Sequence, residues 1–485
     1  MITWLFGFVI LAAGVGAWLP LSPSSGDAAV LLAAGCLAAT MVLRGHREEQ
    51  PWLPGAAALA LLTFSFPLGA SVSLVALLLL AGVMTHEALI TLRGIDEATK
   101  PRRLVILLAL TVIGYWLLVI GNPNVPSLRV GLLGVRKSMF VFVGLALGAA
   151  WPRDWRLRRT ADYVWMLLCL SLLISISLHL AAPRIEAGFA RSADVYTDLY
   201  AGGTRLQGIF AGPFHASMAA SFLVLAGLYR VSRAPGPARW LPLISFALGL
   251  VGLYLAQVRT GYLVTLIGIM WLIARSSRGG RIRALALVVT VVAGVVLWLS
   301  TSNGGISKID PAAASLGGLG SDSRALGRVG TWQDAWHLFC MAPFTGWGAG
   351  SAGDTLDPYF VNGHHVTAHN AALKYMVEGG VIGLVLFVCC VLAVVWARPR
   401  PSPVWSLAMP ATVVLVGFSL TGAGVEAIPV SVLLALLIGL SLAGVPQPWE
   451  SRAERLPGAQ ILPHSTTEPA RRSPSPPPLT PVSEP

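Results

Sequence analysis

From end to end the chain alternates continuous apolar runs with polar connections. The runs are about 17 to 25 residues long, the length at which a helix crosses a hydrocarbon core of roughly 30 Å. They do not alternate residue by residue, which excludes a β-barrel and predicts membrane-spanning α-helices. About fourteen such spans are expected by length, at 2–20, 28–43, 53–68, 71–91, 104–121, 137–151, 161–181, 212–230, 240–257, 260–274, 284–301, 371–397, 404–422 and 425–444. The third and fourth are divided only by "FPLGAS" and the last two by "TGAGVE", so the expectation is 12 to 14 helices. The first run lacks a basic leader and reads as a retained helix. Two connections, 182–211 and 302–370, are far longer than the others, and loops of that length are uncommon without a task of their own. The Pro- and Ser-rich end, 445–485, has little to bury and reads as a disordered tail.

Composition sharpens this into an all-α, polytopic integral membrane protein: 55% of the residues are hydrophobic, 12% are charged, and the mean hydropathy is +0.71. The net charge of +12 does not indicate nucleic acid, because the arginines lie in short loops beside apolar runs and form no stripe. They report orientation instead. With the N-terminus inside, most of the 34 Lys and Arg fall on the inner side, in clusters such as Arg153, Arg156, Arg158 and Arg159. That arrangement puts both termini in the cytoplasm and both long loops outside. The 5 cysteines lie in or beside apolar runs without ligand-like spacing and read as small buried hydrophobes.

The basic residues left on the outer side are informative, because the same charge rule works against them. Arg259, in "LYLAQVRTGYLV", occupies a turn of a few residues between two spans. Its guanidinium there either snorkels to lipid headgroups or clamps an anion, for which its planar fork of donors suits phosphate. In "RLQGIFAGPFHASMAASFLVL" a Gly and Pro turn presents Arg205 and His215 at the membrane edge, and His215 reads as a structural histidine or as a ligand contact. Within the second long loop the apolar residues from Val329 to Met341 fit a helical face, too short and polar to span, that lies on the outer surface. The loop ends in "HHVTAHNAALKYMVEGG". His365 and His369 are spaced as zinc ligands on a helix would be, but the glutamate of such a motif is missing and the stretch reads as loop, so no metal site is expected. Glu378, inside the following span, is an expensive place for a carboxylate: it either steers an arginine of a site or pairs with Lys374 one turn away.

Four stretches in order, "RLQGIFAGP", "QVRTGYL", "GRVGTWQDAW…APFTGWGAG" and "AHNAALKYMVEGGVIGL", resemble the O-antigen ligase and O-antigen polymerase superfamily of bacterial envelope glycosyltransferases. The likeness covers roughly 200–395; Val258 stands where that family usually has a hydroxyl residue before the arginine. The resemblance implies a GT-C-like enzyme in a bacterial inner membrane. Hydropathy alone supports the first half, as N-terminal transmembrane helices over 1–160; the resemblance places the catalytic helices within 161–444, with an active site facing the outside. The donor it implies is an undecaprenyl-pyrophosphate-linked glycan, transferred with inversion to an acceptor hydroxyl on a glycan, lipid or protein, without metal or other cofactor. By motif it assigns His369 and Arg259 to catalysis and Arg205 and Arg328 to the pyrophosphate. Asn370 orients a backbone or substrate group, and His215 and Glu378 join the same substrate-binding set. Elementary chemistry agrees: arginines stabilise a departing pyrophosphate, and histidine suits proton removal near neutral pH.

Ligase and polymerase share this chemistry and differ in acceptor. A transporter or flippase is the competing class, but it calls for ionisable groups at mid-membrane and visible internal repeats, whereas the polar groups here gather at one face.

Overall fold

The computed structural model describes residues 52–65, 75–77, 79–80, 100–151, 157–186, 205–232, 240–275, 323–353, 366–397, 404–422 and 424–443. The expected spans 2–20, 28–43 and 284–301, most of 71–91, His364 and His365, and the tail 445–485 lie outside these residues.

Eleven helices are named here in chain order: α1 Trp52–Thr63, α2 Lys100–Val119, α3 Leu128–Ala150, α4 Leu157–Ala181, α5 Pro213–Val231, α6 Trp240–Ala256, α7 Arg259–Arg275, α8 Ser323–Met341, α9 Ala371–Trp396, α10 Trp405–Thr421 and α11 Val430–Ala443. A single 3-10 turn, Gly424–Glu426, precedes α11. No strand occurs among the described residues beyond an isolated bridge, Ala352 to Val366. Five of the helices, α2, α3 from Val130, α4, α5 and α9, are long and apolar enough to cross a membrane, with α6, α10 and α11 shorter but equally apolar.

One difference from the expected spans matters for the site. Arg136 and Lys137, expected in an outer connection, stand on α3, which starts nine residues earlier than hydropathy alone indicates. Arg129, Arg136 and Lys137 mask the apolar signal there, while Ser127 begins the helix by accepting the Val130 N–H at 3.3 Å.

The bundle is organised around α5 and α11. Every residue of α11 is buried, as is nearly every residue of α5. α5 packs on α6, α7 and α10, and α11 packs on α3 and α10. In lipid, close backbone approach and not water exclusion holds such pairs together. Gly148 of α3 and Gly439 of α11 are where the two helices touch, since a Cβ on Gly439 would lie 2.4 Å from the Leu145 carbonyl oxygen. The Leu, Ile and Val side chains left exposed on α2, α7 and α9 form the lipid-facing surface.

Cations gather at one end of this bundle. Arg102 of α2 donates to the carbonyls of Ala149 and, at 2.9 Å, Trp151 at the end of α3. Arg230 of α5 meets Asp162 of α4 at 2.5 Å and lies over the Trp165 ring. The candidate site is at the opposite end.

Candidate functional site

The glycine-rich stretch after α8 docks its backbone directly on α9. Gly380 takes φ 63° inside α9 and interrupts the helical ladder there. The groups so released are claimed by the loop: Trp347 N–H donates to the Val377 carbonyl at 2.8 Å, Gly348 N–H to the Glu378 carbonyl at 3.0 Å, and Val381 N–H to the Pro343 carbonyl at 2.7 Å. A Cβ at Gly380 would sit 2.3 Å from the Phe344 carbonyl oxygen, so a glycine is needed for both torsion and space. The Trp347 indole donates to the Leu338 carbonyl at 2.7 Å and ends α8, whose Ala335 and Leu338 pack with Trp347, Val366 and Val377 in a small core of their own. The bridge between Ala352 and Val366 then carries the chain to His369.

Beneath that loop lies a buried ionic cluster. The Lys374 ammonium donates to the Ala352 carbonyl and to Glu378 Oε1 at 2.7 Å, and forms an ion pair with Glu426 Oε1 at 2.6 Å. Glu378 is fully buried and accepts four bonds: Oε1 from Lys374 and, at 3.1 Å, from Gly350 N–H, and Oε2 from the Trp116 indole at 2.9 Å and Ser138 Oγ at 2.7 Å. This one carboxylate therefore joins α2, α3, α9 and the docked loop. Tyr115 and Tyr375 reinforce it, donating to the carbonyls of Gly379 at 2.7 Å and Ser138 at 2.8 Å.

At the start of α9, Asn370 is the N-cap. Its Oδ1 accepts the N–H groups of Ala372 and Leu373 at 2.9 and 3.2 Å, and its Nδ2 donates to the Leu420 carbonyl of α10 at 3.0 Å. The end of α10 meets the start of α5, where Phe214 packs edge-on against Phe418 with ring centroids 5.1 Å apart. The start of α5 in turn meets the start of α7, Ser221 Oγ donating to the Gly261 carbonyl at 3.4 Å. The Arg205 loop joins this end because Leu206 N–H donates to the Leu255 carbonyl at 2.9 Å, four residues before Arg259.

The structure thus gathers Arg205 in a connection, His215 and Arg259 in the first turns of α5 and α7, and His369 and Asn370 just before α9, all at one end of the bundle; Arg259, expected in a turn, opens the helix instead. Glu378 stands deeper, paired with Lys374. Arg328 lies on α8, which packs chiefly on α9. His215 is in the first turn of α5, with its Nδ1 buried and unbonded among the described residues. Two residues carry an unusual backbone: among the described residues, the non-glycines with positive φ are Gln257 at 50° and His369 at 45°. They flank Arg259 and Asn370. Such torsions cost about 1–3 kcal/mol each and persist where surrounding structure enforces them, often at functional sites.

Sequence reasoning missed Glu426, Ser138 and Trp116 as partners of Glu378 and Lys374, and Glu186 near Arg205. Glu426 did leave a signal, as a carboxylate in the short link between two apolar runs.

These features define a multi-pass helical membrane protein with arginine, histidine and asparagine residues placed at one end of the bundle. The O-antigen ligase family model matches residues 244–388, from α6 through most of α9, and supports the O-antigen ligase/polymerase superfamily for this chain. The chemistry of that superfamily is ligase- or polymerase-type glycosyl transfer. Arg259, Arg328, His369, Asn370 and Glu378 fall inside the matched segment, and Arg205 and His215 precede it. No curated protein matches the chain.

Proposed function

We propose that this protein transfers a glycan from an undecaprenyl-pyrophosphate donor to an acceptor hydroxyl at the outer face of a bacterial inner membrane. The reading rests on one observation above others: the strained residues Gln257 and His369 lie two residues before Arg259 at the start of α7 and next to Asn370 at the start of α9. His369 takes the proton of the acceptor hydroxyl, the freed oxygen attacks the anomeric carbon from the face opposite the pyrophosphate, and the bond to the pyrophosphate breaks with inversion. Arg259, Arg205 and Arg328 bind the departing undecaprenyl pyrophosphate, whose charge grows as the bond breaks. His215 completes the wall of the site. Guanidinium groups supply the positive charge, so the reaction needs no metal. The outer-face reading is supported by the cations Arg102 and Arg230 at the opposite end of the bundle, since lysine- and arginine-rich ends favour the cytoplasmic side.

The test is transfer by the purified protein in liposomes, with lipid-linked glycan as donor. Loss of a general base costs about 10²- to 10⁴-fold, so His369→Ala should fall by that factor. Near wild-type transfer by this variant would overturn the assignment. Deleting the gene separates ligase from polymerase: free glycan left on its carrier marks a ligase, single repeat units mark a polymerase, and an unchanged envelope overturns both.

A further inference from the structure

We infer that Glu186 is a positioning residue that holds Arg205 at the site, an inference that rests on the reading of Arg205 as a pyrophosphate clamp. The backbone that follows Arg205 is fixed one N–H at a time. Leu206 N–H is taken by the Leu255 carbonyl at 2.9 Å. Gln207 and Gly208 N–H both donate to Glu186 Oε1, at 2.8 and 2.6 Å. Ile209 N–H donates to Ser175 Oγ at 3.1 Å, and that hydroxyl passes its own proton to the Ser171 carbonyl at 2.8 Å. Four consecutive donors thus find acceptors outside the 205–210 stretch, two of them on one carboxylate.

Glu186 is itself buried, and its other oxygen meets His179 Nδ1 of α4 at 2.8 Å. A buried carboxylate bonded to two backbone N–H groups and an imidazole is stable in place, and removing it leaves two buried donors without acceptors. The glycine at 208 shows how closely the loop is pressed down: φ is 60° and a Cβ there would lie 2.1 Å from Ser175 Cβ. Since Leu206 is tied to the end of α6, the same clamp sets the position of Arg205 relative to Arg259 at the start of α7. Glu186 touches no reacting group in this account and acts only through Arg205.

The test is a double-mutant cycle in the full chain, using transfer from lipid-linked glycan in liposomes. Glu186→Ala should lower kcat/KM at least about tenfold, the factor that corresponds to one lost hydrogen bond to a charged group. Glu186→Gln, whose amide oxygen still accepts from the loop, should fall between it and wild type. In the Arg205→Ala background Glu186→Ala should add little, because the group it positions is already gone; a purely structural role would give effects that multiply. A second readout needs no substrate: trypsin cleavage after Arg205 in the purified protein should speed up about tenfold in Glu186→Ala, as expected if the loop loses a charge-assisted bond, and less in Glu186→Gln. Multiplying effects, wild-type transfer by Glu186→Ala, or unchanged cleavage would each overturn the inference. Wild-type transfer by Arg205→Ala would instead overturn the clamp reading of Arg205 and the inference with it.

Discussion

Replacing Lys374 by methionine tests the buried cluster directly. The side chains are of similar length, so the change removes an ammonium and little volume. In the native protein that ammonium donates to Glu378 Oε1 at 2.7 Å and to the Ala352 carbonyl and pairs with Glu426 Oε1 at 2.6 Å, the Lys374, Glu378 and Glu426 side chains all being buried. Without it two carboxylates face each other across the vacated position and a carbonyl loses its donor. Removing one partner of a buried ion pair costs about 3–5 kcal/mol, chiefly because the remaining charge stays buried and uncompensated. Here Glu378 is still held by Trp116, Ser138 and Gly350, which favours the lower part of that range, whereas the second carboxylate pushes the other way. Lys374→Met should therefore lose about 3–5 kcal/mol in urea unfolding followed by tryptophan fluorescence in detergent micelles. Adding Glu378→Gln and Glu426→Gln should restore most of it, because the orphaned charges are then gone. A single variant within about 1 kcal/mol of wild type, or a triple variant no better than the single, would refute the argument, since both outcomes deny that uncompensated charge is the cost.

Other perturbations probe the connections around the site. Gly380→Ala places a Cβ against the Phe344 carbonyl and forces an unfavourable φ; the expected loss is at least about 2 kcal/mol, read as a lower thermal midpoint, with released proteolytic sites in 343–350. Asn370→Asp keeps the N-cap acceptor but loses donation to Leu420, so α9 should stay stable within about 1 kcal/mol while transfer falls through misplacement of His369; unaltered transfer would show that the tie to α10 is unnecessary. Arg259→Ala should cost about 10²- to 10³-fold in kcat, as removal of a preorganised donor does, and Arg259→Lys should recover only part because it lacks the planar fork.

The residues proposed for the candidate site stood out in the chain because their signals are local. Apolar run length predicts spans one at a time, and Arg259 and Arg205 are conspicuous where a charge meets the end of such a run. The pairing of Glu378 with Lys374 was one of two readings that spacing allowed, since residues four apart share a helical face. The early start of α3 was not legible, because hydropathy penalises Arg136 and Lys137 whether or not a helix carries them.

The sequence by itself determined that this is a helical, multi-pass membrane protein with its unusual polar groups at the ends of spans. Tertiary structure decided which groups those charges meet. Glu378 finds the Trp116 indole 262 positions earlier in the chain, and the Arg205 loop leans on a carboxylate 21 residues before Gln207. Hydropathy and helical period act over a few residues, whereas the partner of a buried charge depends on which helices approach closely enough to exclude water and lipid. That choice rests on shape: Gly439 against α3, and the break at Gly380 into which the 343–350 loop fits.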